Sequence, residues 1–591
     1  DRAGVPLLTV SGTAKITELG SKNVFRFFPG DSVVKVAHAK YAVEELGAKR
    51  PALLYQTTAY GQSGAAHLKK ILAGLGAPVT ELSGAVIIGR NTIQSEALGG
   101  RFLGHPLRLE LSDAGPDLPA YRVVLDAEGT ASAEALVGEL GIPLPDRLSG
   151  NTAFDARVRF PRRDETAAAP LDVHVESDLV GLGLDLPAPF TKPAADPADF
   201  AGDLVFPAGG ERIESNGRLG DEVSWGLAFT RTDGPWDFDR GMLTLGGAPA
   251  TPPDVRGLHV HGSTPELRVD EWLSVSSREG APRGAGSRIR SIDLRVGDLY
   301  FIGQRLSEHH LKVDRSARDW LVQLDGDLVS GSIFVPYDFS PASTLVLDMD
   351  SLVLPGDDAE ETGDDAEPDT LDPRQMPALS LRTKEFGLGE RRFGAVEAEF
   401  VHDDEGLVAD SIVATDPTFN IQANARWQAD PADPLGSRAG LSAVLTSNDV
   451  ATTMSRLGYD PGIVSDEMRI ELDTRWSGGP HGRFLETMDG TVAVTLGAGQ
   501  LNEVDPGAGR VFGLMSLGAL PRRLSLDFRD VFQKGFGFDA ISGTFRLDDG
   551  TAYTCDLSLV GPAADIGIIG QADLVNGTYS QAAVVSANLG N

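Results

Sequence analysis

From about residue 83 to the C-terminus, apolar and polar side chains alternate with a period of two. That period puts successive side chains on opposite faces of a strand, so it dictates half-buried β-strands with one apolar and one polar face. The pattern is densest between Gly509 and Gln581. An apolar segment, Val511 to Leu520, is closed by Pro521; Leu524, Leu526 and Phe528 then alternate with Ser525, Asp527 and Arg529. Phe536 with Phe538, Phe545 with Leu547, Leu557 with Leu559 and Ile566 with Ile568 continue the rhythm. Lys534-Gly535, Asp549-Gly550, Gly561-Pro562 and Asn576-Gly577 supply turn chemistry between the runs, which predicts antiparallel hairpins or a meander. The 69 glycines and 36 prolines fit many short strands joined by turns.

Helical patterns after residue 83 are few and short: Ser132 to Leu140, Asp270 to Ser274, and Asn448 to Leu457 with a Ser447 or Asn448 cap and a Gly458 stop. An antiparallel sheet with one apolar face must bury it. With too few helices to cover it, the sheet closes into a sandwich or rolls into a groove; the alternation leaves both open.

Charge and motif content narrow the function. A formal charge of −33 opposes nucleic-acid binding and broad adsorption to anionic headgroups. Cys555 is the only cysteine, which removes disulfides, zinc clusters and CxxC redox chemistry, and it reads as a small strand residue. His259 and His261 share a strand face in metal-ligand geometry but lack a third ligand nearby, and His309-His310 point to opposite faces. Asp348 and Asp350 share a face and read as the solvated side of an amphipathic strand rather than as an acid and base pair. Nucleophile elbows, Walker loops and HExxH helices do not occur. Trp427 and Trp476, each after an arginine at a strand end, mark a sheet rim where an indole sits half wet. The reading is a non-enzyme with no metal and no cofactor.

Residues 1–82 follow a different grammar. Asp31 can cap a helix from Ser32 to Leu46, Ala52 to Tyr55 is a short apolar strand, and Gln62 to Leu75 is a second amphipathic helix. That is a βαβαβ fragment with a parallel sheet. VPLLTVSGTAKITELGSKNVFRFFPGDS and ELGAKRPALLYQTTAYGQSG resemble the periplasmic binding proteins for branched-chain amino acids. The resemblance implies ligand contacts at Ser11 and Thr13 and a closing residue at Tyr60, vestigial here because most of both lobes is missing.

The run GRVFGLMSLGALPRRLSLDFRDVFQKGFGFDAISGTFRLDDG, followed by GPAADIGIIGQADLV, resembles the C-terminal region of the YhdP branch of the AsmA-like envelope proteins. LDVHVESDLVGLGLDLPAPF at 171–190 and the stretch 236–273 match the same family, so the resemblance covers about 95–591. It implies a mainly β fold, an elongated, curved, taco-like antiparallel groove, anchored in the inner membrane and implicated in moving phospholipid across the periplasm to the outer membrane. Acyl chains would lie against Leu524, Leu526, Phe528, Phe536, Phe538, Phe545, Leu547, Leu557, Leu559, Ile566 and Ile568. Such proteins begin with a membrane helix, and no stretch of eighteen apolar residues occurs here, so the chain reads as a fragment or unusual fusion. The acidic, aperiodic stretch GDDAEETGDDAEPDTLDP, Gly356 to Pro373, reads as a loop or linker. The expected organisation is an α/β fragment at 1–82, an N-terminal groove part at 83–355, a linker at 356–376 and a C-terminal groove region at 377–591. Three functions stay open: a lipid conduit; a structural β scaffold of the envelope with a dry core and protein partners yet unknown; and amino-acid binding through the N-terminal segment.

Overall fold

The computed structural model describes residues 7–9, 24–26, 31–45, 83–88, 92–102, 105–134, 136, 147–162, 169–207, 211–231, 236–277, 288–301, 304–338, 340–355, 372–479, 484–502 and 536–588. Ser11, Thr13, Tyr60, Leu524, Leu526, Phe528, the strand Ala52 to Tyr55, the helix Gln62 to Leu75 and most of the acidic stretch lie outside these residues. Leu7–Thr9 pairs in parallel with Val24–Arg26, and a helix, Asp31–Lys40, widens into a π turn at Tyr41–Glu45.

The fold is mainly β, and the chain divides into two compact units, residues 1–264 with 271–290 and residues 265–270 with 291–591. In the first unit, strands Leu98–Phe102, His105–Asp113, Tyr121–Ser132, Leu148–Pro161, Leu171–Ser177, Phe200–Phe206, Arg212–Leu219, Val223–Thr230 and Asp237–Leu245 pair antiparallel in that order. The last of them pairs in parallel with Gly257–Gly262. The polar face carries cross-strand ion pairs, because oppositely charged residues stand opposite one another. Arg157 meets Asp126 at 2.7 Å, His174 meets Asp203 at 2.7 Å, and the buried Asp172 accepts from Arg159 at 2.5 Å and from the Tyr121 hydroxyl at 2.6 Å. The helix expected at Asp270 to Ser274 forms as Val269–Ser277.

In the second unit, strands Ile289–Phe301, Gln304–Arg315, Asp319–Asp325, Val329–Pro336 and Thr344–Leu354 form an antiparallel meander. Thr344–Leu354 then pairs in parallel with Ala378–Leu388. The acidic stretch connects these two strands, so the sheet runs on across it. From Ala378–Leu388 the meander resumes through Arg391–His402, Gly406–Thr415, Phe419–Ala429, Ser437–Ser447, Met468–Ser477 and Asp489–Leu496. It continues through Ala540–Asp548, Thr551–Val560, Ala564–Asp573 and Thr578–Ala587. Turn chemistry behaves as read: Asp549 and Gly550 take φ of 44° and 69°, and Gly577 takes 63°, the left-handed region that tight hairpins demand.

Because the side-chain period matches the ladder register, apolar residues line up across strands. One row of direct partners runs Ile292, Val313, Val322, Ile333, Leu347, Leu381, Ala398, Ile412, Ala423, Ala443, Leu472, Val492 and Phe545. Every member is apolar. A one-residue slip at any strand would have turned that strand's apolar set to the other face, so the register is strongly specified.

Candidate functional site: the apolar face of the second unit

The apolar row is not equally covered along its length. Ile292, Val313, Val322, Ile333, Leu347, Leu381, Ile412, Ala423, Ala443, Leu472 and Val492 are half-buried, Val492 by packing against the C-terminal core, whereas Ala398 is 8% exposed and Phe545 at the end of the row 3%. The neighbouring row on the same face is mostly covered: Leu294, Leu311, Met349, Thr383, Val396, Ala414 and Val494 are 2–8% exposed, while Leu324, Ile421, Leu445 and Ile470 are half-buried, the last two packed against the C-terminal core. Fully covering a large apolar side chain is worth about 1.5–3 kcal/mol, so the first row leaves apolar surface that another group could cover.

At the C-terminal end protein covers the face. Phe536, Phe538, Phe545, Leu547, Leu557, Leu559, Ile566 and Ile568 are all 1–5% exposed and belong to one core with Val450, Ile463, Leu496, Leu501 and Ile541. The sequence reading stacks Phe536 and Phe538 on the same sheet as the later strands. Instead, Phe536–Phe538 pairs with Gly499–Leu501, which pairs with Ile463–Ser465, making a separate three-stranded sheet whose side chains pack into that core. The described candidates thus share one side, and at this end the side is closed.

A helix, Val450–Arg456, completes the cover. Its cap is Asp449, whose carboxylate accepts from the Thr452 amide at 3.0 Å; the expected cap at Ser447 or Asn448 lies just before it. Ser447 instead accepts from the Asp449 amide at 3.1 Å and bonds the Thr453 hydroxyl at 2.9 Å. Gly458 ends the helix as read, with φ of 78° and its amide on the Ser455 carbonyl at 3.1 Å. Arg456 ties the helix to the sheet through Asp416 at 2.9 Å and Glu385 at 3.0 Å. Burial pushes the Asp416 carboxyl up, but the Thr418 amide and hydroxyl and the Arg456 guanidinium outweigh it and hold the group below the usual carboxylate range.

The remaining singled-out residues fall as follows. Trp427 is buried rather than half wet, donating from Nε1 to the Ser437 hydroxyl at 3.1 Å, and Trp476 is half-buried, donating to the Gly479 carbonyl at 2.8 Å. Both pair with Ala439 on the strand between them, and the small alanine lets the two indoles close over it. His309 lies on the apolar face opposite Val296, 2% exposed, with Nδ1 on the Ser307 carbonyl at 2.9 Å; His310 faces the other way and meets Asp293 at 2.6 Å. Asp348 and Asp350 are exposed, the latter paired with Lys384 at 2.5 Å. Cys555 is exposed in its strand. Among the described residues no group of three His, Cys, Asp or Glu is placed to hold a metal ion. On the polar face an open cleft of about 650 Å³ includes Asp410, Gln422, Asn424, Glu471 and Asp473 in its lining.

The half-covered row is what reading the terminal strands alone missed. Its signal was the same alternation, in TLVLDMD, LSLRT, FNIQANA, GLSAVLT and MRIELDT.

A mainly β chain whose long, mostly antiparallel sheet carries an apolar row from strand to strand, half-covered along much of its length and closed at one end, defines a class of extended sheet proteins. The sequence profile of the YhdP protein family matches residues 54–591, and the chain belongs to that AsmA-like family. It is similar to the intermembrane phospholipid transporter YhdP of Escherichia coli (strain K12), with 24% identity over 525 residues, 87% of this chain and 40% of the relative. The chain therefore spans about two fifths of that relative's length. No solved structure matches it. The family match begins at residue 54, inside the segment 1–82 that the sequence reading set apart.

Proposed function

We propose that this chain is part of a non-enzymatic lipid carrier of the bacterial envelope, and that the half-buried row of its second unit forms a track for phospholipid acyl chains between the inner and outer membranes. The observation that carries the reading is the register row from Ile292 to Leu472, apolar on every strand and, apart from the buried Ala398, only partly covered. Similarity to a phospholipid transporter supports it. Each methylene transferred from water to such a face gains about 0.8 kcal/mol, but an acyl chain arriving from a bilayer leaves an equally apolar medium. Exchange is close to neutral, which suits a conduit that must release what it binds.

A structural scaffold is the second reading, favoured at one place by the closed core around Phe538, Phe545 and Ile566. Mass spectrometry of lipids extracted from purified protein separates the two. A carrier retains stoichiometric phospholipid, and substituting Leu472 and Ile412 by Asp lowers that amount; a scaffold carries none in either form.

A further inference from the structure

The polar face of the second unit carries a row of its own. Asn424, Ser442, Asp473 and Thr491 stand opposite one another on successive strands, and the register continues from Thr491 through Arg546, Tyr553 and Gln571 to Ser580. Every member has a hydrogen-bonding side chain. The flanking rows differ: Gln422, Val444, Glu471 and Ala493 mix apolar with polar, and Arg426, Gly440, Arg475 and Asp489 are mostly charged. The row is also recessed. The cleft of about 650 Å³ lined by Asn424, Ser442, Asp473 and Thr491 shares Thr544 with a second open cleft of about 610 Å³, lined by Arg546, Tyr553, Gln571 and Ser580. Its two charged members are already steadied: the Ser442 hydroxyl donates to Asp473 at 2.7 Å, and Arg546 pairs with Asp548 at 3.1 Å while lying 5.2 Å from the Tyr553 ring centroid. Asn424, Thr491 and Gln571 are exposed, with no side-chain partner among the described residues.

We propose that this row binds an extended, uncharged glycan chain. Amide, carboxylate, guanidinium and hydroxyl groups in one line supply the mixed donors and acceptors that vicinal sugar hydroxyls require. Tyr553 adds an aromatic face for the C–H side of a sugar ring. Neighbouring strands lie about 4.8 Å apart, close to the rise per residue of a β-1,4-linked glycan, so successive sugars meet successive strands. Charge chooses among polymers. Asp473 and Arg546 cancel within the row, and a chain of formal charge −33 repels a polyanion. The site is separate from the acyl track, because Thr491 and Asp473 alternate with Val492 and Leu472 and point to the opposite face.

Isothermal titration calorimetry of the full chain with the β-1,4-linked hexamers of glucose and of N-acetylglucosamine, and with their dimers, tests the row. A hexamer is expected to bind at least ten-fold more tightly than its dimer, because it spans several strands. Tyr553→Ala with Gln571→Ala, both exposed, weakens the hexamer at least ten-fold with an unchanged melting transition, and Asn424→Ala with Thr491→Ala weakens it at least three-fold. Polygalacturonate does not compete. Phospholipid content of the same variants is measured in parallel and stays the same, so a failure of the glycan site and a failure of the acyl track are read separately. No heat with either hexamer at millimolar concentration, a dimer bound as tightly as its hexamer, full binding by both double variants, or a preference for polygalacturonate overturns the proposal.

Discussion

Arg456 and Asp416, 40 residues apart in the chain, meet with the guanidinium 2.9 Å from a carboxylate whose side chain is 3% exposed. The pair fastens the helix Val450–Arg456 over the closed end of the apolar face. Removing the arginine leaves a buried carboxylate with only the Thr418 amide and hydroxyl, and breaking a buried pair from one side costs about 3–5 kcal/mol. Arg456→Ala is therefore expected to lower stability toward the small end of that range, since Arg456 itself is partly exposed. Asp416→Asn with Arg456→Gln, which removes both charges, costs less than either single change. Urea unfolding monitored by intrinsic fluorescence measures all three.

Phe538→Asp and Leu472→Asp distinguish the closed end from the open middle. Phe538 is 3% exposed within the terminal core, so a carboxylate there is buried without a partner and the protein fails to fold or loses several kcal/mol. Leu472 is half-buried, so water reaches the new group and the loss stays near 1 kcal/mol, within the ordinary range for a point change. Expression level and melting temperature of the two variants decide it; equal losses would mean that the middle rows are as closed as the end.

His174 predicts a pH dependence in the first unit. Hydrogen bonds to Asp203 first and Glu176 second raise its pKa above the ordinary histidine value, against the opposing effect of burial. A folded-state pKa above the unfolded one gives stabilisation that is fully present below the unfolded value and is lost as pH rises through the folded value. Against His174→Gln, the unaltered protein should therefore gain melting temperature toward pH 6 and lose that advantage above neutrality. The histidine is about one third exposed, so solvent screening keeps the effect small.

Much of this architecture was legible because alternation and turn chemistry are local. The period of two set the strands, Asp549-Gly550 and Asn576-Gly577 set their hairpins, and Gly458 set the end of a helix. Which sheet a strand joins is not local. FGF at 536–538 alternates like its neighbours, yet it pairs with Gly499–Leu501 and covers the face that it was expected to extend. The parallel pairing of Thr344–Leu354 with Ala378–Leu388 was likewise hidden, since an acidic stretch of that length reads as a linker. Trp427 illustrates the reverse case: an indole at a strand end reads as a rim, but the small Ala439 beside it makes room to bury the ring.

The acyl track is tested most directly by a photo-crosslinking residue placed singly at Leu472, Ile412 and Leu381, and at Phe545 and Ile566, in protein purified from cells. Phospholipid adducts are predicted at the first three sites, which are half-buried on the apolar face, and none at the last two, which are 3% and 2% exposed in the closed core. Well-folded protein without adducts at Leu472, Ile412 and Leu381 would contradict the track.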